Sequence, residues 1–229
     1  MKKRWLSFIK KYKSMKSFVK PMLLAFMFAG TIMVSCQKED DPNWVDLDLP
    51  SGALWARCNL GASSPEKYGL YLAWGETETK SVYTWGTYRY CTVNDEGDPV
   101  VFQNQIASSS TLLPAYDAAT VVFGAQTHTP THDEWKELLN NTTYEWTVVN
   151  GVGGLKFTAS NGNSIFLPAA GMRSDSEVMG EGSRGYYWTS TLAHDISAWG
   201  FNFSSSNHSL NFFGRYFGHS IRPVRKPKE

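Results

Sequence analysis

An α+β domain, mostly short antiparallel strands with two or so helices, is the fold class this sequence predicts. Three observations predict it. From Trp44 onward, short apolar runs are broken every few residues by Gly, Pro, Ser and Asn, the punctuation of a strand-rich chain. Helix-start signals interrupt that pattern at Asp117 and Thr131. The last quarter, Gly185 to Val224, reads as almost wholly β.

Taken in order, Val45-Asp46-Leu47-Asp48-Leu49 alternates strictly, as a half-buried strand does. Pro50-Ser51-Gly52 reads as a turn and Leu54-Trp55-Ala56 as the next strand. Tyr68 to Trp74 is a mixed apolar run ending at Gly75, and residues 94–114 read as a polar surface insertion. Asp117 starts a short helix that stops before Gly124. Thr131-His132-Asp133-Glu134 is a capping box: the Thr hydroxyl accepts the N3 amide while Glu134 reaches back to the N-cap amide. The helix it launches, to Asn141, turns Trp135, Leu138 and Leu139 toward a core. Strand-like runs follow around 144–149, 155–158 and 164–167, with Asn150-Gly151 and Asn161-Gly162 as hairpin turns between them.

The first 35 residues are a different kind of segment. Eight of the 22 Lys and Arg lie there and none of the 21 acidic residues. An uncharged stretch, Met22 to Val34, follows the basic region and ends at small Ser35 before Cys36. That order is a bacterial secretion signal, and its apolar part is shorter than the ~20 residues a spanning helix needs. Met15 is an alternative start. A Cys at the cleavage site resembles a lipobox, so the expectation is an acylated Cys36 anchoring the chain in outer-membrane lipid. A plain soluble secreted protein is the alternative. Lys38-Glu39-Asp40 resembles an acidic export signal that would carry such a lipoprotein to the outer face, a solvated linker being the other reading. The organisation is therefore signal 1–35, lipidated Cys and acidic tether 36–43, one domain 44–225 and a tail 226–229.

Once the signal is removed the remainder carries a formal net charge of −7, which repels phosphate backbones and argues against nucleic-acid binding. Aromatic residues make up 14 % of the chain, with nine Trp, enough for a well-packed extracellular module. With Cys36 used by lipid, Cys58 and Cys91 remain: either one disulfide closing a ~30-residue loop, worth about 3 kcal/mol, or two buried free thiols.

Several phrases in series resemble one family. They are Val45-Asp46-Leu47 with Leu49-Pro50-Ser51-Gly52, Leu54-Trp55-Ala56, Asn59-Leu60-Gly61-Ala62 and Ala73-Trp74-Gly75-Glu76. Pro130-Thr131 with Glu134-Trp135, Leu167-Pro168-Ala169-Ala170-Gly171, Tyr187-Trp188-Thr189-Ser190 and Ser220-Ile221-Arg222-Pro223-Val224 complete the series. Their order is similar to that of the Fibrobacter succinogenes major paralogous domain family of lipoproteins, over roughly residues 44 to 225. The resemblance implies a C-type-lectin-like fold related to the formylglycine-generating-enzyme architecture. It also implies kinship with proteins whose C-terminal segment is varied by diversity-generating retroelements. The chain departs from the family's pattern at Gln126-Thr127-His128-Thr129.

In the closing segment Trp199, Phe201 and Phe203 alternate with Gly200, Asn202 and Ser204, so one strand face is aromatic and the other small and polar. Most residues from Ala198 to His219 are Ser, Asn, Phe, Tyr, Gly or His, the composition of a paratope and the set reached by adenine mutagenesis of Asn codons. The expected contact surface is Trp199, Asn202, Ser204, Asn207, Ser209, Asn211, Phe212, Phe213, Tyr216, Phe217 and His219, facing an extracellular protein or glycan. Arg215 and Arg222 are expected to hold the last strands together, with Pro223 at an edge. The alternative function is a structural or assembly lipoprotein in which the same segment is ordinary core.

Enzymatic readings find little support. No Cys follows Cys91, so the reactive thiols of formylglycine-generating enzymes are missing. No nucleophile elbow, P-loop or dinucleotide fingerprint occurs, and no cofactor is called for. Pro130 separates His128 from His132 and Asp133, so no metal site is expected, and the calcium-binding tripeptides of sugar-binding lectins are absent. The pairs Asp46/Asp48 and Glu76/Glu78 read as acidic surface.

Overall fold

A computed structural model describes residues 41–103, 106–108 and 110–226. These belong to one compact unit, Asp40–Glu229. Residues 1–40, with the expected signal segment and Cys36, lie outside the described residues. Among those described, no helix is long and apolar enough to cross a membrane.

The described chain forms β1 (Trp44–Asp46), β2 (Leu54–Ala56), β3 (Cys91–Val93), β4 (Pro99–Phe102), β5 (Ala107–Ser108) and β6 (Thr111–Leu112) before its first helix. Helix α1 (Ala118–Phe123), β7 (Thr127–His128) and helix α2 (His132–Asn141) come next. The rest is β: β8 (Thr142–Val149), β9 (Val152–Ala159), β10 (Ser164–Pro168), β11 (Met172–Ser174), β12 (Glu177–Met179), β13 (Arg184–His194), β14 (Ser197–Ser204), β15 (His208–Gly214) and β16 (Val224–Arg225). The sheets run β1-β2-β16-β7, β10-β9-β8, β11-β12, β15-β14-β13-β6-β5 and β3-β4.

This corrects the expected fold class. The protein is predominantly antiparallel β, in several small sheets with no closed barrel, rather than an α+β domain of C-type-lectin-like or formylglycine-generating-enzyme-like type. Both predicted helices form, but six and ten residues are too few to make a helical layer. Residues 94–114, expected to be irregular, instead contribute three short strands, β4, β5 and β6.

Local chemistry explains the elements. β1 stops early because Asp48 takes a positive φ of 51°, fixed by its amide bonding Asp46 Oδ1 at 3.0 Å. Leu47 and Leu49 still reach the core from the loop. Asp117 caps α1 by accepting from Ala119 N at 2.9 Å, and its other oxygen accepts Thr129 N at 2.8 Å, which ties the helix to the segment after β7. At α2 the capping box is complete: Glu134 N donates to Thr131 Oγ1 at 3.1 Å and Thr131 N donates to Glu134 Oε2 at 2.7 Å. Asn150-Gly151 turns β8 into β9 with positive φ at both residues.

Two apolar cores result. The first joins Trp55, Trp135, Leu138, Phe157, Leu167, Tyr187, Phe201 and Phe203. Phe201 stacks on Trp135 at 4.7 Å, so α2 lies against the aromatic face of the closing strands. The second gathers Leu72, Trp74, Tyr83, Tyr88, Ile106, Trp188, Ala198 and Ile221. Because side chains alternate along a strand, Tyr187 and Phe201 enter the first core while Trp188 and Ala198 enter the second. The β13–β14 pair is therefore covered along one face, and on the other face only around Trp188 and Ala198.

The two framework arginines behave as expected and are fully buried. Arg222 donates to Asn59 Oδ1 at 3.0 Å and to the carbonyls of Ala56, Arg57 and Phe166. Asn59 in turn donates to the Tyr187 hydroxyl, which donates to Pro168 O at 2.8 Å. That network ties strands far apart in sequence through satisfied polar groups. Arg215 donates to Tyr88 Oη and to Asp195 O, both at 2.9 Å. Pro223 is not at an edge: it leads into β16, an interior strand, and its carbonyl accepts Ala56 N.

Cys58 and Cys91 are free, so the disulfide alternative is set aside. Each thiol is held in its own half-buried neighbourhood. Cys58 lies near Arg222 and Arg57, while Cys91 Sγ points to Trp85 O at 3.5 Å. Burial raises the pKa of both, which suits inert packing thiols.

Candidate functional site

Antiparallel register sorts the eleven expected contact residues onto different surfaces. β14 pairs with β15 as Trp199↔Phe212, Phe201↔Leu210, Asn202↔Ser209 and Gly200↔Asn211. β13 pairs with β14 as Tyr186↔Asn202, Trp188↔Gly200 and Arg184↔Ser204. Residues directly opposite share a face. One face therefore carries Trp199 and Phe212 with the core aromatics. The other carries Asn202, Ser204, Ser209, Asn211 and Phe213.

The polar face is the coherent part. Tyr186, Asn202 and Ser209 form a row across three strands, and Ser209 Oγ donates to Asn202 Oδ1 at 2.8 Å. Asn211 is exposed one step further on, beside Gly200. A Cβ at Gly200 would come within 3.1 Å of Phe213 and 2.9 Å of Tyr187 O, so glycine here lets the Phe213 ring lie across the strand. Tyr186 meets that ring edge-on at 5.7 Å. Arg184, exposed at the strand end, interacts with the Tyr186 hydroxyl, which raises the arginine's pKa. Amide, hydroxyl and guanidinium groups thus surround a Tyr–Phe floor. Such a surface can hydrogen-bond and stack without a formal charge at its centre.

The remaining expected residues are dispersed. Asn207 is exposed in the β14–β15 turn. Trp199 packs against the His132 ring at 4.5 Å and Phe212 at 5.9 Å, on the rim of the first core, with Phe212 50 % exposed. Phe213, Tyr216 and Phe217 are half-buried against the second core.

His219 departs fully from the expectation. It is 0 % exposed, stacked on Trp188 at 4.0 Å and surrounded by Tyr186, Phe213 and Phe217. Its backbone pairs with Leu72, which turns the ring inward. No external ligand can touch it in this arrangement. Burial pushes its pKa down to about 3, leaving a neutral imidazole with neither ring nitrogen hydrogen-bonded.

Tyr186 and Arg184 were not among the expected residues. The period of two through Arg184, Tyr186 and Trp188 was the signal that placed them beside Asn202 and Ser204.

Other polar clusters are internally satisfied. A cleft of about 200 Å³ is lined by Glu76, Glu78, Thr79, Lys80, Thr87 and Arg89. Lys80 on its wall is paired, 2.9 Å from Glu76 Oε1 and 3.0 Å from Thr87 O. His128 contacts both oxygens of Glu134, at 2.8 and 3.0 Å, and so belongs to the α2 cap. Among the described residues no group of three or more His, Cys, Asp or Glu could hold a metal ion. Compared with known protein families, curated proteins and solved structures, the chain matches none, so its own residues carry the functional reading.

Proposed function

We propose that the chain is a lipid-anchored cell-surface protein, held in the outer membrane by acylated Cys36, that binds an extracellular protein or glycan through the solvent face of β13–β15. The observation that carries this reading is the row Tyr186–Asn202–Ser209, with Asn211 and Ser204 on the same face. Here that set sits on strands whose opposite face is packed into a dense aromatic core, so the contact groups are held rigidly.

The test is the triple variant Asn202→Ala, Ser209→Ala, Asn211→Ala, screened with the unvaried protein on a glycan array and a panel of extracellular matrix proteins. Binding present in the unvaried protein is expected to vanish in the variant. The melting temperature is expected to stay within about 6 °C, because three such substitutions cost about 0.5 kcal/mol or less each and a domain of this size shifts by about 2–4 °C per kcal/mol. Retained binding, or a collapsed fold, would count against the reading.

One observation favours the structural or assembly alternative. His219 is fully buried, and Phe213, Tyr216 and Phe217 pack in part against the second core. Under that alternative the triple variant would leave every interaction of the protein unchanged.

A further inference from the structure

We propose that the face carrying Val121, Val122 and Phe123 rests on the membrane that holds the anchor, in contact with a lipid surface. The inference rests on the lipid anchor proposed above. These three apolar residues end α1 and are 49, 47 and 47 % exposed. Packing of α1 does not require them, since the residues it buries are Ala118 and Ala119. Phe123 meets Trp44 edge-on at 5.9 Å, which extends the patch onto β1. The Arg225 guanidinium lies over the Trp44 ring, 4.7 Å from its centroid. Beside it exposed Lys226 bonds through its amide to Gln126 O at 3.0 Å. Aliphatic side chains, an indole and bordering cations are the chemistry of an interfacial contact. The apolar groups enter the headgroup boundary, the indole sits at its level, and exposed Lys226 meets lipid phosphates.

Chain length selects lipid as the occupant. Asp41 accepts Trp44 N at 2.9 Å and its carboxylate is 3.0 Å from Arg225, so it adjoins the patch. Cys36 precedes Asp41 by five residues, which span at most about 18 Å when fully extended. A domain of this size is roughly 40 Å across. An acylated Cys36 therefore keeps the Trp44–Phe123 patch nearer the headgroups than the domain's own breadth. A second copy or another protein would have to enter that gap to cover it.

The experiment uses the chain as cells process it, reconstituted into vesicles of phosphatidylethanolamine and phosphatidylglycerol containing phosphatidylcholine brominated near the glycerol end of its chains. Val122→Trp adds a fluorescent reporter in the patch, and Val148→Trp adds one at an exposed position of β8. Both sites are exposed, so neither substitution threatens the fold. The expected result is bromine quenching of the Val122→Trp reporter well beyond that of the unvaried protein, with no such excess for Val148→Trp. If the protein floats with the vesicles and the Val122→Trp reporter is unquenched, the lipid contact is overturned while the anchor stands. If the unvaried protein fails to float with them, the anchor is overturned and the contact with it. An unquenched reporter together with paired copies in sedimentation would assign the patch to a second chain.

Discussion

Replacing His219 with Phe should remove much of the protein's sensitivity to mild acid. The imidazole is enclosed by Trp188, Tyr186, Phe213 and Phe217, and no hydrogen bond reaches either of its nitrogens. Protonation would place an unpaired cation among rings, and burial accordingly holds the pKa at about 3, against an ordinary value of 6.5. The unfolded chain takes up this proton below pH 6.5 and the folded chain does not until near pH 3. Stability from this residue is therefore complete above pH 6.5 and declines as pH falls toward 3. Near pH 5 the decline amounts to about 2 kcal/mol, from about 1.4 kcal/mol for each pH unit below 6.5. Urea unfolding, followed by tryptophan fluorescence near pH 7.5 and near pH 5, measures it. The stability difference between the two pH values should be about 2 kcal/mol smaller for His219→Phe than for the unvaried protein. Any packing cost of the larger ring is common to both pH values and cancels. Equal acid losses in the two proteins would refute the reasoning, because His219 would then be protonated, or partnered, inside the fold.

Three other outcomes are expected. Burial acts to raise the Glu134 pKa, but its bonds to His128 and Thr131 outweigh burial and lower it from the usual 4.5. Glu134→Gln should destabilise the protein near neutral pH and cost progressively less as pH falls below about 4.5, read by thermal melts across that range. Arg222→Met leaves Asn59 and three backbone carbonyls without their buried donor, so a loss of about 3–5 kcal/mol is expected in chemical unfolding. Cys58 and Cys91 should alkylate slowly in the folded protein and completely once it is unfolded without reductant; recovery of a disulfide-linked peptide pair would contradict the free-thiol arrangement.

Local signals were legible wherever a few neighbouring residues sufficed. The Thr131–Glu134 box, the Asp117 cap and the Asn150-Gly151 turn all depend on contacts within a turn of chain, and each formed where the residue types placed it. The bracing role of Arg215 and Arg222, through bonds to carbonyls, was anticipated too, though not their full burial. Fold class was misjudged because helix starts are conspicuous in sequence while two-residue strands such as β7 and β16 leave almost no periodic trace. Their existence depends on partners far along the chain, as when Val224 pairs with both Trp55 and His128.

For the closing hairpin, the sequence by itself determined the alternation: Trp199, Phe201 and Phe203 on one side, Gly200, Asn202 and Ser204 on the other. The cause is covalent, since successive side chains on a strand must point oppositely. Only the tertiary structure decided how much of each side would meet water. Packing of Leu72, Trp74 and Tyr88 beneath Trp188 covered part of the polar face and drew His219 and Phe217 inward, leaving Asn211 exposed and Asn202 and Ser209 half-buried. Burial is a property of what arrives from elsewhere in the chain, and composition, however suggestive of a contact surface, does not contain it.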